Sequence, residues 1–177
     1  MLTRRGFIVA GGAALAGFAS SSSDADAATR GFRERSVFLH NVHTGDTLKT
    51  VYWCDGHYEP SALQRLNFVL RDHYSDEIHR MDPRLIDLMF RLQTEFGGHR
   101  PFEVFSGYRS PETNAMLAME TEGVAAHSLH MQGMAVDVRL AGTRLRSLKH
   151  AAKKLRLGGV GSYSTFVHVD VGRVRYW

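Results

Sequence analysis

Beyond residue 30, apolar positions follow two rhythms, one of period two and one of helical period. Ser36 to Asn41 and Thr47 to Trp53 are short β-rich runs joined by His43-Thr44-Gly45-Asp46, and together they predict a hairpin. Pro60-Ser61 opens a segment in which Leu63, Leu66 and Leu70 fall at helical spacing. Asp82-Pro83 is a helix start, a capping carboxylate followed by the ring that fits the first turn. Leu85, Leu88, Met89, Leu92 and Phe96 form the stripe of that helix, and Gly97-Gly98 ends it. Phe102 to Phe105 predicts a strand, followed by the loop Ser106 to Pro111 and a helix through Leu117. Met134 to Leu140 alternates as a strand, and Thr143 is placed to cap a helix that turns Leu145, Leu148, Ala152 and Leu155 inward. Gly158-Gly159-Val160-Gly161 predicts a turn into a final strand, Phe166 to Val171. With no repeat and no internal linker, the pattern predicts one α+β domain over residues 28–177, helices packed on an antiparallel sheet.

The first 27 residues read differently. Arg4-Arg5 precede an apolar, Gly/Ala-rich run from Ile8 to Ala19, and Ala25-Asp26-Ala27 offers a signal-peptidase site. That order predicts a twin-arginine export signal. As a membrane anchor, the run falls short of the roughly 20 apolar residues a bilayer needs. The predicted compartment is therefore extracytoplasmic, such as a periplasm, and the export route carries proteins already folded. Removing residues 1–27 takes away two charges of each sign, so the formal +4 of the chain is unchanged. A mildly basic protein favours polyanionic surfaces without choosing among them. The single cysteine, Cys54, excludes an internal disulfide and any Cys-based zinc cluster in one chain.

The candidate chemistry lies in Ser128-Leu129-His130-Met131-Gln132-Gly133-Met134-Ala135-Val136-Asp137, read with Phe166-Val167-His168-Val169-Asp170. His130, Asp137 and His168 supply two imidazoles and a carboxylate. Three protein ligands with a position left to water are the arrangement of a catalytic zinc, and nitrogen and oxygen donors suit Zn²⁺ among other first-row ions. Asp137 and His168 sit on predicted strands, where alternate side chains share a face. Small residues at 133 and 135 let the His130 loop fold back towards Asp137. Against this stands the count of ten histidines, which makes one such spacing ordinary by chance.

The pattern S-x-H-x-x-G-x-A-x-D followed by H-x-D resembles the zinc D-Ala-D-Ala peptidases, a superfamily shared with the hedgehog signalling domain. The resemblance is closest to the murein endopeptidase K branch. Asn41 to Gly45, Met81-Asp82-Pro83, Ser106 to Pro111, Gly159-Val160-Gly161 and Arg175-Tyr176-Trp177 follow that branch in order through nearly the whole domain. The resemblance implies one Zn²⁺ on His130, Asp137 and His168, and hydrolysis of peptide cross-links in peptidoglycan between two diaminopimelate residues. It also implies that Arg109 faces the developing oxyanion; a clamp on a substrate carboxylate and a plain surface arginine are its other readings.

The proton acceptor does not transfer. Related dipeptidases carry a Glu three residues before the last histidine and related carboxypeptidases a His two before it, where this chain has Thr165 and Phe166. Asp170, two residues after His168, is either the catalytic base or an acceptor that orients a ligand imidazole, with His127 next in line as base. Two rival functions follow: a zinc-containing wall-binding module without turnover, and a D,D-carboxypeptidase or dipeptidase on D-Ala termini. The basic helix of Arg144, Arg146, Lys149, Lys153, Lys154 and Arg156 reads either as a solvated face or as an attractor of anionic wall polymers. Export and the lack of a recognisable module argue against nucleic acid as a partner.

Overall fold

The computed structural model describes residues 33–120 and 125–177; the export signal read over residues 1–27 lies outside them. The first elements are a hairpin, β1 (Glu34–Asn41) and β2 (Thr47–Cys54), with the short β3 (His57–Tyr58) beside β2. Asn41 builds the hairpin turn: its Oδ1 accepts from the amides of His43 and Thr44, and its Nδ2 donates to the Val69 carbonyl. Helices α1 (Pro60–Val69) and α2 (Pro83–Glu95) precede β4 (Phe102–Ser106) and α3 (Pro111–Glu120). A 3-10 turn (Leu129–Gln132) leads into β5 (Ala135–Leu140), then α4 (Leu145–Leu155), β6 (Gly159–Ser162), β7 (Val167–Asp170) and β8 (Arg175–Tyr176).

One sheet of eight strands runs in the order β3-β2-β1-β4-β5-β7-β6-β8. It is mixed rather than purely antiparallel, because β1 pairs with β4, and β6 with β8, in parallel. The first exception follows from connectivity. A crossover through α1 and α2 returns the chain in the direction it left, as parallel pairing requires. The α+β class stands, with its helices packed on the sheet.

Several local expectations hold. The Asp82 side chain accepts from the Arg84 amide at 2.8 Å with Pro83 in the first turn, and α2 buries Leu85, Leu88, Met89 and Leu92. They meet Val37, Leu39, Phe102, Val104, Val136, Val138 and Leu140 in one core. Three expectations need correction. Helix α4 is entered at Arg144, not Thr143, and no side chain caps it. β5 does not alternate: five of its six residues are buried, because a central strand is covered on both faces. The predicted glycine turn is strand β6. A Cβ at Gly159 would stand 2.3 Å from Asp170 Oδ2, and one at Gly161 2.6 Å from the Trp177 ring. Those glycines permit close packing within a strand.

Candidate metal centre and active-site cleft

Two strands and one turn bring the predicted ligands together. In the antiparallel register of β5 and β7, Asp137 lies opposite His168, and Ala135 opposite Asp170. Cross-strand partners share a face, so Asp137, His168 and Asp170 point the same way. An irregularity between Val104 and Ser106 shifts β4 so that Ser106 also comes opposite Asp137. His130 arrives from the 3-10 turn, whose first amide bonds are completed by the Ser128 hydroxyl. Gly133 closes that turn at φ +65°, where a Cβ would stand 2.5 Å from the Arg80 carbonyl oxygen. This position requires glycine.

The three side chains are buried, and one atom of each converges on a common point. His130 Nε2 lies 3.2 Å from His168 Nδ1 and 3.3 Å from Asp137 Oδ1, and His168 Nδ1 lies 2.8 Å from that same oxygen. Their outer contacts fix the tautomers. His130 Nδ1 is 2.7 Å from the Gly107 carbonyl oxygen, which can only accept, so that nitrogen carries the proton and Nε2 is bare. His168 Nε2 faces Asp170 Oδ2 at 3.1 Å and donates to it, which leaves Nδ1 to the cluster. Three lone pairs therefore face one another in a buried space. Only a positive species resolves that arrangement: a proton on His168 Nδ1, or a metal cation held by two nitrogens and an oxygen.

The ionisation of the cluster agrees. Burial dominates at His130 and lowers its pKa despite Asp137, keeping it neutral as a ligand must be. Burial works to raise Asp137, but the pull of His130 and His168 beside it, through hydrogen bonds and electrostatic attraction, outweighs it, so its pKa lies far below the usual carboxylate range. At His168 burial also opposes charge, yet hydrogen bonds to Asp137 and Asp170 prevail and the pKa is raised. Of the two imidazoles, His168 is thus the one shifted towards the protonated form.

Arg109 and Asp170 flank the cluster from different sides. Arg109 donates from Nη2 to Asp137 Oδ2 at 2.6 Å and from Nε to Ser106 Oγ at 2.8 Å. Its Nη1 has no hydrogen-bond partner among the described residues, and the side chain lines the cleft. Asp170 has no exposure and is saturated. Oδ1 accepts from the amides of Gly159 and Gly172, both at 2.9 Å, and from Arg175 Nη1 at 3.2 Å. Oδ2 accepts from His168 and from Arg175 Nη2 at 2.8 Å. Against the effect of burial, these bonds hold Asp170 at a pKa of about 2. It stands behind His168, on the ring nitrogen that points away from the cluster.

The cluster opens into a cavity of about 470 Å³. One wall is aromatic: Tyr163 and Phe166 stack at 4.7 Å, and Trp177 donates from Nε1 to the Tyr163 hydroxyl at 3.1 Å. The Trp177 ring lies 5.2 Å from that of His168. His127 and Ser128 line the opening, and His127 is exposed. Thr165 and Phe166 line it as well.

A family model described as peptidoglycan L,D-endopeptidase MepK matches residues 29–177. The chain is 39% identical over 176 residues to the peptidoglycan L,D-endopeptidase MepK of Escherichia coli K12, covering 98% of this chain and 96% of that one. It is also 39% identical over 148 residues to the probable MepK of Haemophilus influenzae, covering 82% and 80%. This chain belongs to the MepK peptidase family. The branch indicated by His130, Asp137 and His168 with the Ser106 to Pro111 loop is thus borne out.

Within the MepK frame, several residues that build the site carry no signal in local pattern. Gly107 gives His130 its acceptor, and a Cβ there would stand 2.2 Å from the Leu70 carbonyl oxygen. Asp72 anchors the same loop by accepting from the Ser110 amide at 2.8 Å. Hydrogen bonds from Thr113, Ser110 and Tyr74 outweigh burial and hold its pKa at about 2. Arg175 and Trp177 were visible only as a terminal motif; the structure places them against Asp170 and His168.

Proposed function

We propose that this peptidase is an exported zinc endopeptidase that hydrolyses peptide cross-links of peptidoglycan, at bonds between diaminopimelate residues. The observation that carries this reading is the meeting of three bare donor atoms beside an open cleft, in a chain of the MepK family. His130 Nε2, Asp137 Oδ1 and His168 Nδ1 would hold the ion. Bound there, Zn²⁺ would polarise a scissile carbonyl and bring the pKa of water to about 7.

The chain's own residues have distinct tasks in this reading. Arg109 neutralises the outer oxygen of Asp137 and offers Nη1 to the oxyanion that develops at the scissile carbonyl. Asp170 is a positioning residue, not the base: its oxygens are filled, and it fixes the His168 ring with Nδ1 inward. Among the described residues lining the cleft, His127 is the imidazole outside the cluster, and it takes the role of proton acceptor. Tyr163, Phe166 and Trp177 exclude water from one side of the cleft. The twin-arginine pattern read over residues 1–27 supports export, which would put this chemistry outside the cytoplasm, where the wall is. Among the described residues no helix is long and apolar enough to cross a membrane.

Incubating the purified protein with peptidoglycan and separating the muropeptides tests the reading. Loss of dimers cross-linked between diaminopimelate residues is expected. Release of D-Ala would favour the D,D-peptidase, and binding without product would favour a wall-binding module.

A further inference from the structure

Helix α4 departs from the local rules that surface helices follow. Its N-cap, Arg144, makes no side-chain capping bond, and its first turn carries no acidic residue. Arg144 and Arg146 stand instead at the positive end of the helix dipole. Lys149 and Lys153 are like charges one turn apart, a repulsive spacing. Glu95 is the acidic side chain that answers them, 3.6 Å from Lys154, with both groups more than half exposed. Such a pair contributes little. The inner face is ordinary, with Leu148, Ala151 and Ala152 buried. Lys153 and Lys154 in the last turn suit the dipole. The first turn and the middle of the outer face, however, work against a helix that its inner face folds, a conflict between levels that marks a functional surface.

That outer face lines an open groove of about 890 Å³ between α4 and the end of α2. The groove shares no lining residue with the cleft. Strand β8 shows their relation. Arg175 and Trp177 line the cleft, whereas Tyr176 between them donates its hydroxyl to the Lys153 carbonyl at 3.2 Å and lies 4.9 Å from the Lys153 ammonium. Alternate residues of a strand face opposite sides, so groove and cleft lie on opposite faces of the sheet. A ligand in the groove leaves the cleft open.

We propose that the groove docks peptidoglycan itself, through the free carboxylates of stem peptides on strands other than the one being cut. This rests on the endopeptidase reading. From Arg144 to Lys154 the cations span about 15 Å of helix, more than one carboxylate can bridge, which fits a polymer with repeated charges. Five of the lining residues, Arg144, Arg146, Lys149, Lys153 and Lys154, are long flexible cations, with Glu95 the only acid among the lining. Lysine ammoniums act as mobile point charges, suited to scattered carboxylates rather than to one rigid anion. A membrane surface fits less well, since Leu145, Leu148, Ala152 and Leu155 of α4 pack against the core rather than standing out beside the charges.

The test is co-sedimentation of the zinc-loaded full chain with intact sacculi, beside turnover of a soluble cross-linked muropeptide dimer. The combined variant Arg146→Gln, Lys149→Gln, Lys154→Gln is expected to cut the dimer within about twofold of the parent rate and to bind sacculi roughly tenfold more weakly. Amidating the carboxylates of the sacculi should weaken the parent by a similar factor, and raised salt should do the same. Equal sacculus binding by parent and variant would overturn the proposal. So would insensitivity to amidation, or a loss of binding seen only on vesicles of phosphatidylglycerol and phosphatidylcholine. A parent that fails to cut the dimer would overturn the endopeptidase reading alone, because sedimentation still judges the groove.

Discussion

Asp137 and Asp170 stand on neighbouring strands of one sheet face, both buried, each with an arginine on one side and an imidazole on the other. Their surroundings differ in one respect. Every oxygen of Asp170 accepts from an N–H group: two amides, the Arg175 guanidinium and His168 Nε2. Asp137 has a fixed N–H donor only on its outer oxygen, from Arg109, while its inner oxygen depends on the one proton or cation it shares with His130 Nε2 and His168 Nδ1. A buried carboxylate with all its partners present is scaffold. One that faces other acceptors requires a cation. The same residue type, two positions along from His168 in one case and across the sheet in the other, is thus proposed to take opposite roles, on the strength of its hydrogen-bond shell.

The largest expected effect breaks the Asp137 side of the pair. Replacing His168 with Ala removes one of three donors, and cross-link hydrolysis should fall by at least about 10³-fold. Turnover within tenfold of the parent would remove the cluster from the chemistry. Arg109→Ala leaves the donor atoms in place and takes away the cation beside them. It is expected to lower kcat on the order of 10²-fold at saturating zinc, with KM little changed. An effect confined to KM would make Arg109 a substrate clamp.

Asp170→Asn sharpens the contrast. As a positioning residue, Asp170 should contribute roughly 10–100-fold to zinc affinity, and turnover should recover as free zinc is raised. A deficit that persists at saturating zinc would restore it as the base. The same variant has a pH signature. The raised pKa of His168 means that zinc and a proton compete for Nδ1, so zinc affinity climbs with pH until His168 is deprotonated. Removing one of the two carboxylates that raise this pKa should move the climb to lower pH. An unmoved profile would mean that Asp170 does not act through His168.

Smaller still is the contribution of Asp72 beneath the Arg109 loop. Its folded pKa of about 2 lies below the ordinary carboxylate value, so its stabilisation is present above about pH 4 and is lost as the pH falls towards 2. Asp72→Asn should flatten the acid limb of the stability curve in denaturant titrations. An unchanged slope would deny Asp72 that role.

What the sequence made legible is uneven for physical reasons. Helix α2 is readable because its cap, stripe and terminating glycines are local: Asp82 bonds Arg84 two residues away. Asp137 and His168 are readable as donor types on predicted strands, which fixes the face they share, and His130 as a donor in the loop that leads into the first of them. The shell that turns them into a site is not, because it depends on how the chain folds back: Gly107 to His130 and Asp72 to Ser110 cross 23 and 38 residues, and Arg175 reaches Asp170 only through the β7–β8 turn. The glycines of β6 signal a turn in local terms. Only the rings and carboxylate packed against them explain their presence in a strand. The parallel pairing of β1 with β4 is likewise a property of a crossover, invisible to period-two patterning.

The central claim is that three bare donor atoms hold one metal ion in place of a proton. Calorimetric titration of the metal-stripped protein with Zn²⁺, repeated in buffers of different ionisation enthalpy, tests it most directly. The account predicts one Zn²⁺ per chain, proton release that grows as the pH is lowered and His168 charges, and loss of the binding step in His168→Ala. Absence of saturable binding, or the same binding step in His168→Ala, would contradict it.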